Sequence, residues 1–196
     1  LLQSIRGGQV LTVSRVVEII NPIAAALSLA HGKGILHRDL KPSNIFLHHL
    51  EDGTEVVKLI DFGIVKVLSE DPLTQQGYIV GTPEYLSPER YSGRQIDARS
   101  DIYSLGVLVF RLLTGRVPFA GRNTTEILQK HLKQPIPSIN ALNEQVTTEV
   151  EAVVSQAMAK HPDHRQATVL QFAAQLQAAE IRSGNTKNLY WDLADK

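Results

Sequence analysis

The residues His37-Arg38-Asp39-Leu40-Lys41-Pro42-Ser43-Asn44 put a carboxylate, a cation two positions later and an amide three positions after that into one short segment. A second carboxylate opens Asp61-Phe62-Gly63. Asn44 and Asp61 both offer hard oxygen donors, the kind that suits Mg2+. A third segment, Gly81-Thr82-Pro83-Glu84-Tyr85 followed by Ser87-Pro88-Glu89, is polar and turn-rich. Taken singly, each residue has a plainer reading. A loop aspartate or asparagine is commonly a turn or cap residue, and a lone lysine is a solvated charge. Chemistry requires that the flanking elements bring these groups together.

Those elements can be read from the spacing. From Thr12 to His31, apolar residues at Val13, Val16, Val17, Ile20, Ala24 and Leu27 make one face of a helix. Thr12 can cap its start and Gly32 and Gly34 can end it, while Pro22 should kink it or shift its register. Ile45–His48 and Val56–Ile60 read as short strands, and Asp52-Gly53 between them signals a hairpin. The first motif thus lies between a helix and a strand, and Asp61 follows the second strand. The hairpin can hold Asn44 and Asp61 side by side. Residues 61–89 show no periodicity and read as a long loop, a feature that in compact domains is commonly functional. Ala98–Thr114 is apolar on nearly every side and belongs at the centre of a domain. Helices are also predicted near Thr124–Lys133, Thr147–Lys160 and Thr168–Ile181, with a linker or frayed tail from Ser183.

The three motifs, in this order and in these strand and loop settings, resemble the H-R-D-L-x-x-x-N, D-F-G and A-P-E signature of protein kinases. The resemblance covers residues 1–182, is to the Hanks-type serine/threonine subgroup, and has a bacterial style. It implies a mainly α (α+β) fold, the helical C-terminal lobe of a kinase with one β-hairpin. Residues 183–196 are then a tail. By resemblance Asp39 orients the proton of the substrate hydroxyl, and Lys41 places a cation near the transferred phosphate. Asn44 and Asp61 hold Mg2+, and Phe46 lines the floor of the adenine pocket of ATP. Thr82 matches the threonine that braces the catalytic Asp and Lys, and with Lys41 it marks Ser/Thr rather than Tyr as the target. Arg38 matches an arginine that binds a phosphate on the activation loop, for which Thr74 is the candidate and Ser69 and Tyr78 are weaker ones. Asp101 is expected to accept backbone N–H bonds from the His37-Arg38 turn, and Glu89 to pair with Arg165. His37 and Phe62, beside Gly63, match members of a packed column between lobes.

Two departures stand out. Ser87 replaces the alanine of A-P-E. No G-x-G-x-x-G loop and no V-A-I-K-like strand lysine occur in the 196 residues, so the N-terminal lobe is expected to be absent and the chain alone to have little activity. A non-catalytic scaffold is the alternative reading, favoured by the missing lobe and opposed by Asp39, Lys41, Asn44 and Asp61. Lys+Arg and Asp+Glu are 20 each, which argues against a nucleic-acid partner. With no cysteine, disulfides and thiolate metal sites are excluded, and a cytoplasmic location is expected. The most apolar stretch, Ile102–Leu113, is too short to span a bilayer and contains Arg111, so no membrane segment is expected. A protein substrate bearing Ser or Thr, and an activating dimer of the whole enzyme, complete the expectations.

Overall fold

The computed structural model describes residue 1 and residues 7–62, 82–92 and 95–194, with side chains through residue 183. Thr74 and Gly63 lie outside the described residues, as do Ser69 and Tyr78. In chain order the elements are α1 (Val13–His31), β1 (Ile45–His49), β2 (Glu55–Leu59), α2 (Glu89–Ser92), α3 (Ala98–Thr114), α4 (Thr124–Lys133), α5 (Thr148–Ala157) and α6 (Val169–Ala194). Short 3₁₀ turns occur at Pro42–Asn44, Pro83–Tyr85 and Pro162–His164. The architecture is mainly helical with one two-stranded antiparallel hairpin, the expected fold class.

Helix α3 is the axis of the core. Its residues Ser100 to Phe110 are buried without a break, and α1, α5 and α6 pack around it. Such all-round burial requires an apolar helix whose few polar side chains are paired. Gly106 permits the close crossing of α5: a Cβ there would sit 3.0 Å from the Ala157 Cβ. Asp97 caps the N-terminus by accepting from Arg99 N, and Gly115 ends the helix at φ 74°.

Helix α1 starts as its sequence predicts, with the Thr12 hydroxyl accepting from Arg15 N at 3.2 Å. Pro22 sits within the helix and does not end it. In length and composition α1 could cross a bilayer. Its apolar residues Val16, Ile19, Ile20, Ile23 and Leu27 instead fill the core, and Arg15 ties it to β2 through both oxygens of Glu55, at 2.6 and 2.7 Å. The hairpin register pairs Ile45 with Leu59 and His49 with Glu55.

One expectation changes. The sequence predicts a tail from Ser183, but α6 continues to Ala194. The Ser183 hydroxyl donates to Ala179 O at 2.7 Å and lies 2.8 Å from the Thr147 hydroxyl. Gly184 lowers helix propensity by only about 1 kcal/mol, too little to stop a helix already running.

Candidate active site

The 3₁₀ turn Pro42–Asn44 brings the ends of the first motif together. Lys41 Nζ lies 2.8 Å from Asp39 Oδ2. Asn44 Nδ2 donates to the Asp39 carbonyl at 2.9 Å and more weakly to Asp39 Oδ2 at 3.4 Å. This use of the amide nitrogen leaves the Asn44 side-chain oxygen as its free ligand atom. Ile60 N donates to Asn44 O at 3.0 Å, which sets Asp61 beside Asn44 at the open end of the hairpin. His37 braces the same junction, with Nε2 3.1 Å from Ile60 O and its ring centroid 4.8 Å from that of Phe62. Phe46 lies on β1 and is 51% exposed.

Arg38 and Asp61 are the only non-glycine residues with positive φ among the described residues, at 64° and 56°. Left-handed backbone costs an ordinary residue of order 1 kcal/mol or more, and persists where surrounding contacts over-determine it. At Arg38 those contacts are visible. Asp101, 2% exposed at the head of α3, accepts from His37 N at 2.8 Å and Arg38 N at 3.0 Å. The Arg38 carbonyl in turn accepts from Arg90 Nη1. The central helix therefore holds the turn that carries Asp39.

Glu89 and Arg165 form a bidentate pair with two bonds of 2.7 Å, and both side chains are shut away from water. Burial alone would push the Glu89 carboxyl up. The Arg165 hydrogen bonds and charge, with the Ser100 hydroxyl at 2.6 Å, outweigh it and hold the group below its usual value. Arg165 also donates to Ala159 O and Arg99 O, joining α3, α2 and the Pro162–His164 turn.

Thr82 is placed differently from the other site residues. Its side chain makes no hydrogen bond to Asp39 or Lys41; its carbonyl accepts from Tyr85 N at 3.0 Å as the Pro83–Tyr85 turn begins. Lys41 and Asp39 contact each other directly instead.

Sequence reasoning also missed several supporting residues. His31 Nε2 lies 2.8 Å from Asp101 Oδ2, Arg90 holds the Arg38 carbonyl, and Ser100 braces Glu89. His31 and Asp101 are 70 positions apart and no local pattern links them. The one local signal was burial: a serine and an aspartate in an apolar helix both need partners.

Family comparison identifies the arrangement. The family model for the protein kinase domain matches residues 1–178. The chain belongs to the protein kinase family. It is 42% identical over 173 residues to serine/threonine-protein kinase Pkn1 of Myxococcus xanthus, covering 88% of this chain and 25% of that protein. It is 38% identical over 178 residues to serine/threonine-protein kinase PknB of Mycobacterium tuberculosis, covering 89% and 27%. The crystal structure of the Mycobacterium tuberculosis PknI kinase domain superposes with a TM-score of 0.66 at 27% identity, over 90% of this chain and 60% of that one. The relatives are bacterial Hanks-type serine/threonine kinases, and the chain spans about a quarter of the length of these curated relatives.

Proposed function

We propose that this kinase chain supplies the catalytic turn for transfer of the γ-phosphoryl group of ATP to Ser or Thr hydroxyls of proteins. The observation that carries the reading is the contact of Asp39, Lys41 and Asn44 beside Asp61. Phosphoryl transfer has a loose transition state with charge spread over the phosphate oxygens, so catalysis is mainly positioning and charge neutralisation. In this reading the Asp39 carboxylate orients the acceptor hydroxyl and takes its proton. That oxygen bonds to the γ-phosphorus, the bond to the bridging oxygen breaks, and ADP leaves. Lys41, already against Asp39, neutralises charge on the transferred group. The half-exposed Phe46 ring offers an apolar floor for the adenine.

The donor set fits Mg2+. The free Asn44 oxygen and the Asp61 carboxylate are hard oxygen ligands, and Mg2+ at phosphate sites typically takes one or two protein ligands with waters and phosphate oxygens completing its shell. When bound, Mg2+ supplies charge neutralisation at the phosphates.

The test is the melting temperature of the chain with and without millimolar Mg-ATP, beside the Asp61→Ala variant. A ligand that binds only the folded state raises stability by mass action. An upward shift in the wild type that disappears in Asp61→Ala is the expected result. No shift in the wild type, or an equal shift in both, would remove the nucleotide site from this chain.

A further inference from the structure

Three peptide groups lead into Asp39, and different partners hold them. Asp101 accepts from His37 N at 2.8 Å and from Arg38 N at 3.0 Å, so it fixes the two peptides that precede Arg38. The third peptide, between Arg38 and Asp39, has other partners. Its carbonyl accepts from Arg90 Nη1, and its N–H donates to His37 Nδ1 at 3.3 Å, a long bond. Arg38 itself has φ 64°, a backbone state that costs an ordinary residue free energy and lasts only where contacts enforce it. Asp101 enforces one side of Arg38. On the other side, the strong contact is the one from Arg90.

Arg90 is only 7% exposed, and its Nε is buried with no hydrogen-bond partner. The bond to the Arg38 carbonyl is its one side-chain hydrogen bond among the described residues. Burial lowers the guanidinium below its usual value and the Arg38 charge adds to that, while Asp101 and Asp39 act in the opposite sense. Burying a charge is unfavourable, and an apolar side chain would fill the same space without that penalty. Packing alone therefore does not account for an arginine here. The base of its side chain is held firmly. Glu89, the preceding residue, is gripped by Arg165 through two 2.7 Å bonds, Arg90 N closes onto Ser87 O at 3.1 Å, and the Tyr91 hydroxyl reaches Pro83 O at 3.4 Å. Helix α2 is thus a fixed mount from which one cation reaches one carbonyl.

We propose that Arg90 is a positioning residue that locks the peptide between Arg38 and Asp39 and so sets the direction of the Asp39 carboxylate. This rests on the kinase reading above, which gives Asp39 the acceptor hydroxyl, and adds the residue that aims it. Rotation of that peptide changes ψ of Arg38 and φ of Asp39 together. Without the cation on its carbonyl, the strained turn can relax by that rotation while Asp101 still holds the peptides before it. A hydrogen bond from a charged donor is among the strong ones, which suits it to oppose backbone strain.

The experiment compares the wild-type chain with Arg90→Met, which fills the space without a donor, and with Arg90→Lys, which keeps a cation. Amide NMR gives the resonances and hydrogen-exchange rates of His37, Arg38 and Asp39, thermal melting gives the overall stability, and basal ADP formation from Mg-ATP is measured in the same samples. In Arg90→Met the Asp39 amide should shift its resonance and exchange about tenfold faster, the size of a lost charge-assisted bond. The His37 and Arg38 amides, held by Asp101, should keep their protection. Arg90→Lys should return the Asp39 amide toward its wild-type behaviour. ADP formation should fall about tenfold in Arg90→Met at unchanged KM for ATP, because the misdirected group serves the acceptor rather than the nucleotide. An unchanged Asp39 amide in Arg90→Met would overturn the proposal. So would equal acceleration of all three amides with a fall in melting temperature, which is what a purely structural arginine would give. Failure of lysine to restore what methionine loses, or undiminished ADP formation beside a changed Asp39 amide, would overturn it as well. The selective change at Asp39 without ADP formation by the wild type would instead count against the catalytic reading alone.

Discussion

Replacing Arg165 with alanine removes a cation from a place that water cannot reach. In the native protein the guanidinium gives two 2.7 Å bonds to Glu89, and its ε nitrogen gives another, of 2.8 Å, to Ala159 O. In Arg165→Ala, Glu89 keeps the Ser100 hydroxyl but loses its counter-charge. Breaking a buried pair from one side costs about 3–5 kcal/mol, because the charge left behind is uncompensated. In a chain of this size each kcal/mol lowers the melting temperature by roughly 2–4 °C, so a fall of about 6–20 °C is expected. The pH dependence separates charge from packing. In the wild type the Glu89 carboxyl is lowered, so its contribution is present above its ordinary value of 4.5 and is lost as pH falls below it. In the variant burial acts without Arg165 and raises the carboxyl. Its folded form then takes up a proton more readily than the unfolded chain, and the penalty relaxes as pH falls. Urea unfolding at pH 7 and at pH 5 should therefore show the gap between wild type and variant narrowing at the lower pH. An unchanged melting temperature, or a gap that stays constant between the two pH values, would refute the account of the pair.

Three other perturbations test different parts of the fold. The Ser87 hydroxyl is fully buried without a hydrogen-bond partner among the described residues, so Ser87→Ala should stabilise the protein by about 1 kcal/mol in chemical denaturation. Burial, with the Lys160 charge, holds the His131 imidazole down to about 3, below its ordinary 6.5. The unfolded state then binds the proton first, and stability contributed by His131 is present above 6.5 and lost as pH falls toward 3, by up to about 1.4 kcal/mol per pH unit. In His131→Gln the slope of unfolding free energy between pH 6 and pH 4 should be correspondingly shallower; equal slopes would contradict this. Gly115→Ala should cost more than about 1 kcal/mol, since φ is 74° and the new Cβ would collide with the backbone of Gly8. An unchanged urea midpoint would show that this close approach is not maintained in solution.

The amino-acid sequence alone carried the motifs, the hairpin and the central helix. Local rules suffice for these: period and apolarity mark Ala98–Thr114, Asp52-Gly53 marks the turn, and Thr12 marks the start of α1. The run from His37 to Asn44 could be assigned its chemistry because its partners lie within a few residues. Residue spacing placed the end of α6 near Ile181, whereas the helical backbone runs to Ala194, since Gly184 is a weak stop signal. Tertiary structure decided which distant groups meet. His31 reaches Asp101, Ser100 reaches Glu89, and Arg90 reaches the Arg38 carbonyl across 52 to 70 or as few as 11 positions. It also decided that Lys41 touches Asp39 while the Thr82 carbonyl closes the Pro83–Tyr85 turn. Only the fold could show that Arg111, unremarkable as one cation in an apolar helix, gives a hydrogen bond to the Tyr85 phenol. Sequence rules describe how a residue relates to its neighbours along the chain, whereas the need to pair a buried charge is met by whatever the packed elements bring within about 3 Å.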